Sequence, residues 1–358
     1  MHKEVISGRQ LTALIFTFII ATATFAVPAF VTTNAGRDGW LSIVIASLVG
    51  ILVVFVVISL AKRYPELTPI EYSEVILGKF LGKFVALIFL LFYIHITAII
   101  AREVSFKINY NLMLGTDIEL ITLFIFLTTS YAVKRGLEVI TRVNILIILI
   151  TILMVIICTV LLIKEIQLDL LTPFLSRGIK PVLNDAVTPA GWFAEVVAIA
   201  FLIPFINKKR DVFFSASLGV LLTGLVLVFF VVLAISILGA DLTQNMTFPI
   251  IKIVRIINIG NYIQNIEEFF LIPWILMSFV KLCFFYYLTS LIVARFFKLD
   301  SVSRIVMPVG LLVFCLACAL FKDNIGVDFF LKRSWGYYSL PIQLGFPFLL
   351  LLVDSLRR

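Results

Sequence analysis

Long apolar runs separated by short polar segments dominate this sequence and predict an all-α integral membrane protein. One run of about 21 residues, 41–61, reaches about 31 Å at helical rise, which is enough to cross the hydrocarbon core of a bilayer. The same pattern recurs along the chain and predicts ten transmembrane helices. They are expected at residues 10–33, 40–61, 84–109, 118–133, 139–163, 190–206, 212–238, 269–296, 305–320 and 338–353.

Composition supports the membrane class, and charge predicts the orientation. The 358 residues are 62% hydrophobic and 14% charged, with a mean hydropathy of +1.14. Most Lys and Arg residues fall on the alternate connecting segments that include both termini, so both termini are predicted to be cytoplasmic. The net charge of +8 then follows from this orientation and does not indicate nucleic-acid binding.

The start of the chain also has the features of a cleavable signal peptide. Lys3 and Arg9 precede an apolar run, and small residues follow at Ala21-Thr22-Ala23. Charge bias does not exclude cleavage, because removal of one span would leave the other loops on their assigned sides. The repeat described next favours a retained first helix.

The first span carries a helix breaker at membrane depth. Pro28 lacks an amide hydrogen and weakens the hydrogen-bond ladder around Thr24, so a break is predicted there. The sixth span is interrupted too, by Pro189, Gly191 and Pro204. Interrupted segments at corresponding positions of two halves indicate an inverted repeat with a binding site at the midplane.

Ten spans with this symmetry predict one polytopic domain, 1–358, with a five-plus-five arrangement of the LeuT type and broken helices 1 and 6. The first repeat is expected at 1–165 and the second at 189–358, with 166–188 as a connecting outer loop.

Two other connections are predicted to be helical. Thr68, Pro69 and Glu71 form a capping box that should open a short cytoplasmic helix running to about Leu81. Residues 247–259, with Pro249 near their start, predict an outer lid helix, and a surface helix at the lipid headgroups fits the same amphipathic pattern.

A charged side chain inside a membrane span is energetically costly, so it usually has an ion-pair partner or a functional role. Lys281 lies near the centre of the eighth span, where it could replace a coupling cation, carry a proton or form a structural ion pair. Glu195 is its natural partner, and could instead bind a substrate amine or accept a proton.

The third span holds a second group of polar residues. Glu103 and Lys107 have the spacing of an i,i+4 pair, and Arg102 is expected to snorkel outward. Tyr93 lies deeper in the span. His95 is interpreted as a packing residue, and a proton switch is the alternative because histidine titrates near physiological pH.

Catalysis, metal binding and cofactor binding are not predicted. The four cysteines all lie within spans, and Cys315 and Cys318 stand one turn apart with no other ligand nearby in sequence. Phosphate-loop, zinc-protease and nucleophile-elbow motifs do not occur.

The sequence resembles the GerAB-type spore germination proteins, which are related to amino acid/polyamine/organocation transporters. The resemblance begins with Ile6-Ser7, Gln10-Leu11 and residues 34–42, and it extends over nearly the whole chain. It is carried further by Gly78-Lys79, Gly82, Arg102, Gly136-Leu137-Glu138, Arg142, Pro173-Phe174, residues 178–182, Glu195, Pro204, Phe248-Pro249, Arg255, Ile266-Glu267, Trp274 and Lys281.

This resemblance implies a subunit that binds a small germinant, usually an amino acid, in the spore inner membrane. It also implies a complex with a membrane A subunit and a lipoprotein C subunit. One position departs from the family pattern, because relatives often have Gly-Thr-Gly in the first break where this chain has Ala21-Thr22-Ala23. Alanine should make the break stiffer or the pocket smaller.

The leading hypothesis is a germinant sensor, and the alternative is a proton-coupled amino acid transporter. A third possibility is a scaffold that binds no ligand. Lys281, Glu195 and Arg102 are the candidate coupling or structural charges. The candidate ligand-binding residues are Thr22, Ala23, Thr24, Phe25, Tyr93, Trp192, Phe193 and Glu195.

Overall fold

Helices make up nearly all of the protein in the computed structural model, which describes residues 6–206, 209–257 and 266–357. Within these ranges, one isolated parallel bridge joins Ile6 to Ile206. The α-helices are α1 (Gly8–Val31), α2 (Gly39–Arg63), α3 (Pro69–Leu77), α4 (Lys79–Leu112), α5 (Ile118–Lys134), α6 (Leu137–Leu162), α7 (Ile179–Phe193), α8 (Val212–Leu238), α9 (Ala240–Asn245), α10 (Pro249–Val254), α11 (Ile266–Phe296), α12 (Val302–Leu320), α13 (Asn324–Arg333), α14 (Trp335–Leu340) and α15 (Phe346–Arg357).

Short helical turns of other kinds link these elements. The segment Pro341–Gly345 between α14 and α15 is a π-helix. The 3₁₀ segments are Gly36–Asp38, Ile163–Glu165, Leu168–Leu171, Ala194–Phe201, Ile203–Phe205 and Lys209–Asp211.

The protein is a multi-pass membrane protein. In the described part of the chain, eight helical stretches are long and apolar enough to cross a membrane. They contain α1, α2, α4, α6, α8, α11, α12 and the stretch from α14 to α15. The predicted fourth span is the 17-residue α5, and the sixth is divided between α7 and 3₁₀ turns, so the count of ten stays a prediction.

Helices α1 and α11 form the centre of the bundle, while α6 and α12 lie at its periphery. The apolar stretches of α1 and α11 are mostly buried, whereas those of α6 and α12 are mostly exposed. Helix α1 packs against α6, α7, α8 and α11. A ligand held by α1 and α11 would therefore be enclosed by protein on every side.

The break predicted in the first span needs correction. Helix α1 continues as one α-helix from Gly8 to Val31, with Pro28 inside it. Ala21 and Ala23 explain the difference, because alanine has the highest helix propensity of all residues. One lost amide donor at Pro28 is not enough to unwind this helix.

The sixth span is irregular where interruption was predicted, but it begins earlier than expected. Helix α7 ends at Phe193, and tighter 3₁₀ turns follow over Ala194–Phe201 and Ile203–Phe205. Its start at Ile179 makes part of segment 166–188 helical.

The two smaller connections also differ in extent from their predictions. The capping box of Thr68 and Glu71 is present, but α3 ends at Leu77, because Gly78 takes a φ of 82° that stops the helix. Helix α10 buries its apolar residues against α1, α8 and α11, which favours a lid over a headgroup helix. The predicted end of this lid at 258–259 lies outside the described residues, as do Lys3, Lys208 and Arg358 of the charge pattern.

Candidate functional site

A buried lysine joins three elements at the centre of the bundle. Lys281 of α11 is 0% exposed, and its Nζ donates to Thr22 Oγ1 of α1 at 2.8 Å. The same Nζ lies 2.8 Å from Oε2 and 3.1 Å from Oε1 of Glu195, in the 3₁₀ segment that follows α7. The ion pair therefore connects the first and sixth spans through the eighth.

One face of α11 supplies the contacts with α1. Trp274, Met277 and Lys281 follow one another at helical spacing, so they lie along one stripe of the helix. Trp274 Nε1 donates to the carbonyl oxygen of Ala21 at 2.5 Å, and its ring stacks on Phe25 at 4.9 Å between centroids. Helix α1 is thus tied to α11 one residue before Thr22 and three residues after it.

The Lys281–Glu195 pair has the charges that a free amino acid carries. A ligand carboxylate would complement the Lys281 ammonium and the Thr22 hydroxyl, and a ligand ammonium would complement Glu195. Both protein groups are almost fully buried, so their interactions act in a low-dielectric environment. The arrangement can exchange an internal ion pair for two pairings with a zwitterion.

Tyr93 lies next to this pair. Its ring packs against Phe201 at 5.4 Å and Phe285 at 6.2 Å, and the Phe285 ring lies 5.5 Å from Lys281 Nζ. Its buried hydroxyl has no hydrogen-bond partner among the described residues. Tyr93 is consequently the candidate with an unused donor near Glu195.

Thr24 and Phe25 face a different space from Thr22. The Thr24 hydroxyl donates to the carbonyl of Ile20 in its own helix. Thr24 and Phe25 line an apolar cavity of about 150 Å³ between α1, α6, α8 and α11. Ala23 is buried in α1 between Thr22 and Thr24.

The aromatic residues of the sixth span divide between two environments. Trp192 stacks on Phe30 of α1 with 6.1 Å between centroids. Phe193 packs against Gly50 of α2 and Gly224 of α8. The structure therefore brings Trp192 to α1, and it does not bring Phe193 to the Lys281–Glu195 pair.

Arg102 is buried and held by other groups, contrary to the snorkelling predicted for it. Its Nε donates to the carbonyl of Phe321 at 3.0 Å, and Nη2 lies 3.2 Å from Glu119 Oε1. Its guanidinium also covers the ring of Phe106. These contacts anchor α4 to α5 and to the end of α12, while the buried Nη1 has no hydrogen-bond partner among the described residues.

A second buried ion pair lies beside Trp274. Glu103 and Lys107 pair as their spacing predicts, and both side chains are almost fully buried. Lys107 Nζ lies 5.3 Å from the ring centre of Trp274 and 5.9 Å from that of Phe248, which precedes the lid helix α10. His95 hydrogen-bonds Tyr338 Oη at 2.7 Å, which agrees with a packing role.

Sequence reasoning missed the central position of Trp274. This residue contacts Ala21, Phe25 and Lys107, and it therefore connects α1 to the Glu103–Lys107 pair. Its spacing of seven residues from Lys281 was the available signal, because residues seven apart share a helix face.

Comparison with solved structures defines the class of protein. The structure of MhsT in complex with L-phenylalanine has a TM-score of 0.63 at 14% identity, with 99% of each chain covered. Mhp1, a nucleobase-cation-symport-1 family transporter in a closed conformation, has a TM-score of 0.59 at 14% identity, covering 98% of this chain and 78% of its own. The fold is therefore that of the LeuT-type transporters.

Sequence comparison then identifies the family. The profile of a family described as Spore germination protein matches residues 5–325. Spore germination protein KB of Bacillus subtilis (strain 168) is 27% identical over 365 residues, covering 100% of this chain and 96% of its own. Spore germination protein YndE of the same organism is 26% identical, with 99% and 97% covered. This chain belongs to the spore germination protein family.

Proposed function

We propose that this protein is the germinant-sensing subunit of a spore nutrient receptor in the spore inner membrane. It binds a small nutrient, most simply an amino acid, between α1, α11 and the 3₁₀ segment after α7. The observation that carries this proposal is the contact of Lys281 with both Thr22 and Glu195 at the buried centre of a transporter fold.

Binding is proposed to exchange one set of ionic contacts for another. The nutrient carboxylate takes the place of Glu195 at Lys281 and Thr22, and the nutrient ammonium pairs with Glu195. Tyr93 is proposed to donate its hydroxyl, which has no hydrogen-bond partner among the described residues, to the bound ligand. Because a ligand shifts an equilibrium only by its differential affinity for two states, the state with separated Lys281 and Glu195 is the one that the nutrient stabilises.

The signal is proposed to leave through α1 and the lid. Trp274 holds Ala21 and contacts Lys107, and Lys107 contacts Phe248 beside α10. Movement of α11 on binding would change both contacts together. A membrane A subunit and a lipoprotein C subunit, which the family resemblance implies, would read this change.

The second candidate is a proton-coupled amino acid transporter. It is favoured by the transporter fold together with a titratable pair inside the bundle. In that case Lys281 and Glu195 would change protonation during each cycle, and labelled amino acid would accumulate in proteoliposomes in response to a pH gradient. Measurable binding without such uptake supports sensing over transport.

The sensing proposal is tested in spores that carry Glu195→Gln or Lys281→Met. Each substitution removes one of the two charges that are proposed to pair with the nutrient. Nutrient-triggered germination should therefore fall at least tenfold at unchanged protein level. Cys283→Ala is the matched control, because it alters a buried residue of the same helix that lies two positions from Lys281 and therefore on a different helix face. Normal germination with Glu195→Gln would instead support the hypothesis of a scaffold that binds no ligand.

A further inference from the structure

A groove lined by basic residues lies on the side of the bundle where α1 begins. It occupies about 580 Å³ between α3 and the C-terminal end of α11. Its polar lining comes from Lys79, Arg295, Lys298, Glu71 and Glu74. The part of α11 that lines the groove begins at Ala294, 13 residues beyond Lys281, and none of the groove's lining residues belongs to the site described above.

Two of the charged residues that line the groove already pair with each other. Glu71 Oε2 caps α3 by accepting from the amide of Thr68, and its Oε1 lies 3.4 Å from Arg295. Lys79 and Lys298 are exposed and have no ion-pair partner among the described residues. The two lysines are therefore available to an anion, with Glu74 as the opposing charge in the lining.

Lys298 has an unusual backbone conformation for a lysine. It ends α11 with a φ of 55°, in the left-handed region that favours glycine. The Leu299 amide donates to the carbonyl of Ala294 at 2.8 Å, which closes the helix end. A strained residue that persists where glycine would be easier indicates that its side chain has a task.

An apolar cavity continues from the basic groove. It measures about 490 Å³, and Lys79 and Phe296 line both spaces. Phe80 and Phe84 form its apolar wall, and Phe80 is 87% exposed. Lys83 adds a further positive charge at its rim.

We propose that the groove and the apolar cavity together bind an anionic phospholipid. Lys79 and Lys298 hold the headgroup phosphate, and the acyl chains lie along Phe80 and Phe84. Basic pockets between helices at a membrane surface match anionic headgroups, and an adjoining apolar wall matches the chains of the same molecule. The lipid would bridge α3 and α4 to the end of α11, the helix that carries Lys281.

The test compares lipids and variants by thermal unfolding of the full-length protein in detergent. Added phosphatidylglycerol should raise the midpoint by about 5 °C at saturation, because a ligand that binds only the folded state stabilises it. Phosphatidylcholine and inorganic phosphate should raise it far less. An equal rise with phosphatidylcholine would overturn the charge-based recognition, and an equal rise with inorganic phosphate would assign the groove to free anions.

Lys298→Gly is the decisive variant, since glycine suits the backbone at this position. It should leave the lipid-free midpoint unchanged or higher while removing most of the shift caused by phosphatidylglycerol. Lys79→Gln should also reduce the shift. Lys134→Gln, which removes an exposed lysine at the end of α5 on the same side, should retain it. A full shift in Lys298→Gly would overturn the proposal.

Discussion

Lys281 and Glu195 lie where an isolated charge is costly, so each depends on the other. Both are almost fully buried, and Lys281 has Thr22 as a further acceptor. Removing one partner of a buried pair leaves an uncompensated charge and costs about 3–5 kcal/mol, whereas removing both costs much less. The pair is therefore poorly suited to stability alone and well suited to exchange with a charged ligand.

A double-mutant cycle tests this mutual dependence. Lys281→Met and Glu195→Gln should each lower the free energy of unfolding by about 3 kcal/mol, and the double variant should lose clearly less than their sum. Reversible unfolding in mixed micelles measures all three variants. Additive losses would show that the two side chains do not interact in the folded protein.

Asp328 of α13 provides a pH-dependent contribution to the stability of the protein. Burial raises the pKa of its carboxyl group to about 6, with Lys107 acting to lower it and Glu103 acting to raise it. The folded state then holds this proton more tightly than the unfolded chain. Stability from this group should consequently fall as the pH rises from about 4 to about 6, and should change little above that.

Thermal midpoints measured across this pH range check the assignment. Asp328→Asn should remove the fall between pH 4 and pH 6, because its side chain does not titrate. Asp300→Asn, which changes an exposed acidic residue, should retain the fall. Identical profiles for the native protein and Asp328→Asn would contradict the role given to Asp328.

At the level of elements, α1 is an uninterrupted helix that side chains of α11 contact. The carbonyl of Ala21 accepts the Trp274 indole, and the Thr22 hydroxyl accepts Lys281. Alanine on both sides of Thr22 resists unwinding. The contacts expected at an unwound backbone are thus made here by side chains that approach an intact helix.

Glycine at positions 21 and 23 should make α1 easier to unwind. Ala21→Gly with Ala23→Gly should cost about 1 kcal/mol per substitution and speed amide hydrogen exchange around Thr22. Nutrient affinity should change as well, since Thr22 contacts the proposed ligand. Ala46→Gly in α2 is the matched control, with a similar loss of stability and unchanged affinity. An unchanged rate of amide hydrogen exchange around Thr22 in the double variant would contradict the view that Ala21 and Ala23 keep α1 intact.

At the scale of the whole molecule, the central helices are the ones that carry the site. Helices α1 and α11 are surrounded by protein, while α6 and α12 present apolar surface outward. On the proposed function, a change at the Lys281–Glu195 pair would have to pass through neighbouring helices to reach the surface of the protein. Arg102 ties α4 to the end of α12, and the buried Glu103–Lys107 pair lies within α4.

The predicted orientation places both termini in the cytoplasm. A tag after Arg358 should resist protease added outside intact protoplasts, because the basic residues retain that end inside. A tag inserted after Asp323, between α12 and α13, should be cleaved under the same conditions. Cleavage of the C-terminal tag with protection of the inserted tag would reverse the assignment.

Much of the architecture was predictable because it depends on local properties of the chain. Apolar run lengths predicted the membrane-spanning helices, the residues after Thr68 predicted the capped helix α3, and an i,i+4 spacing predicted the Glu103–Lys107 pair. The cost of a charge in the membrane also required a partner for Lys281, and Glu195 was the expected choice. Each of these inferences depends only on residues close together in sequence or on the energetic cost of an unpaired charge in the membrane.

The sequence by itself determined a multi-pass helical protein of the spore germination family with paired charges at its centre. Only the tertiary structure decided that α1 stays intact, that Trp274 binds Ala21, that Arg102 is buried and that Phe193 packs between α2 and α8. These outcomes depend on how helices rotate and approach one another. That geometry arises from packing among residues far apart in the chain, which local periodicity does not specify.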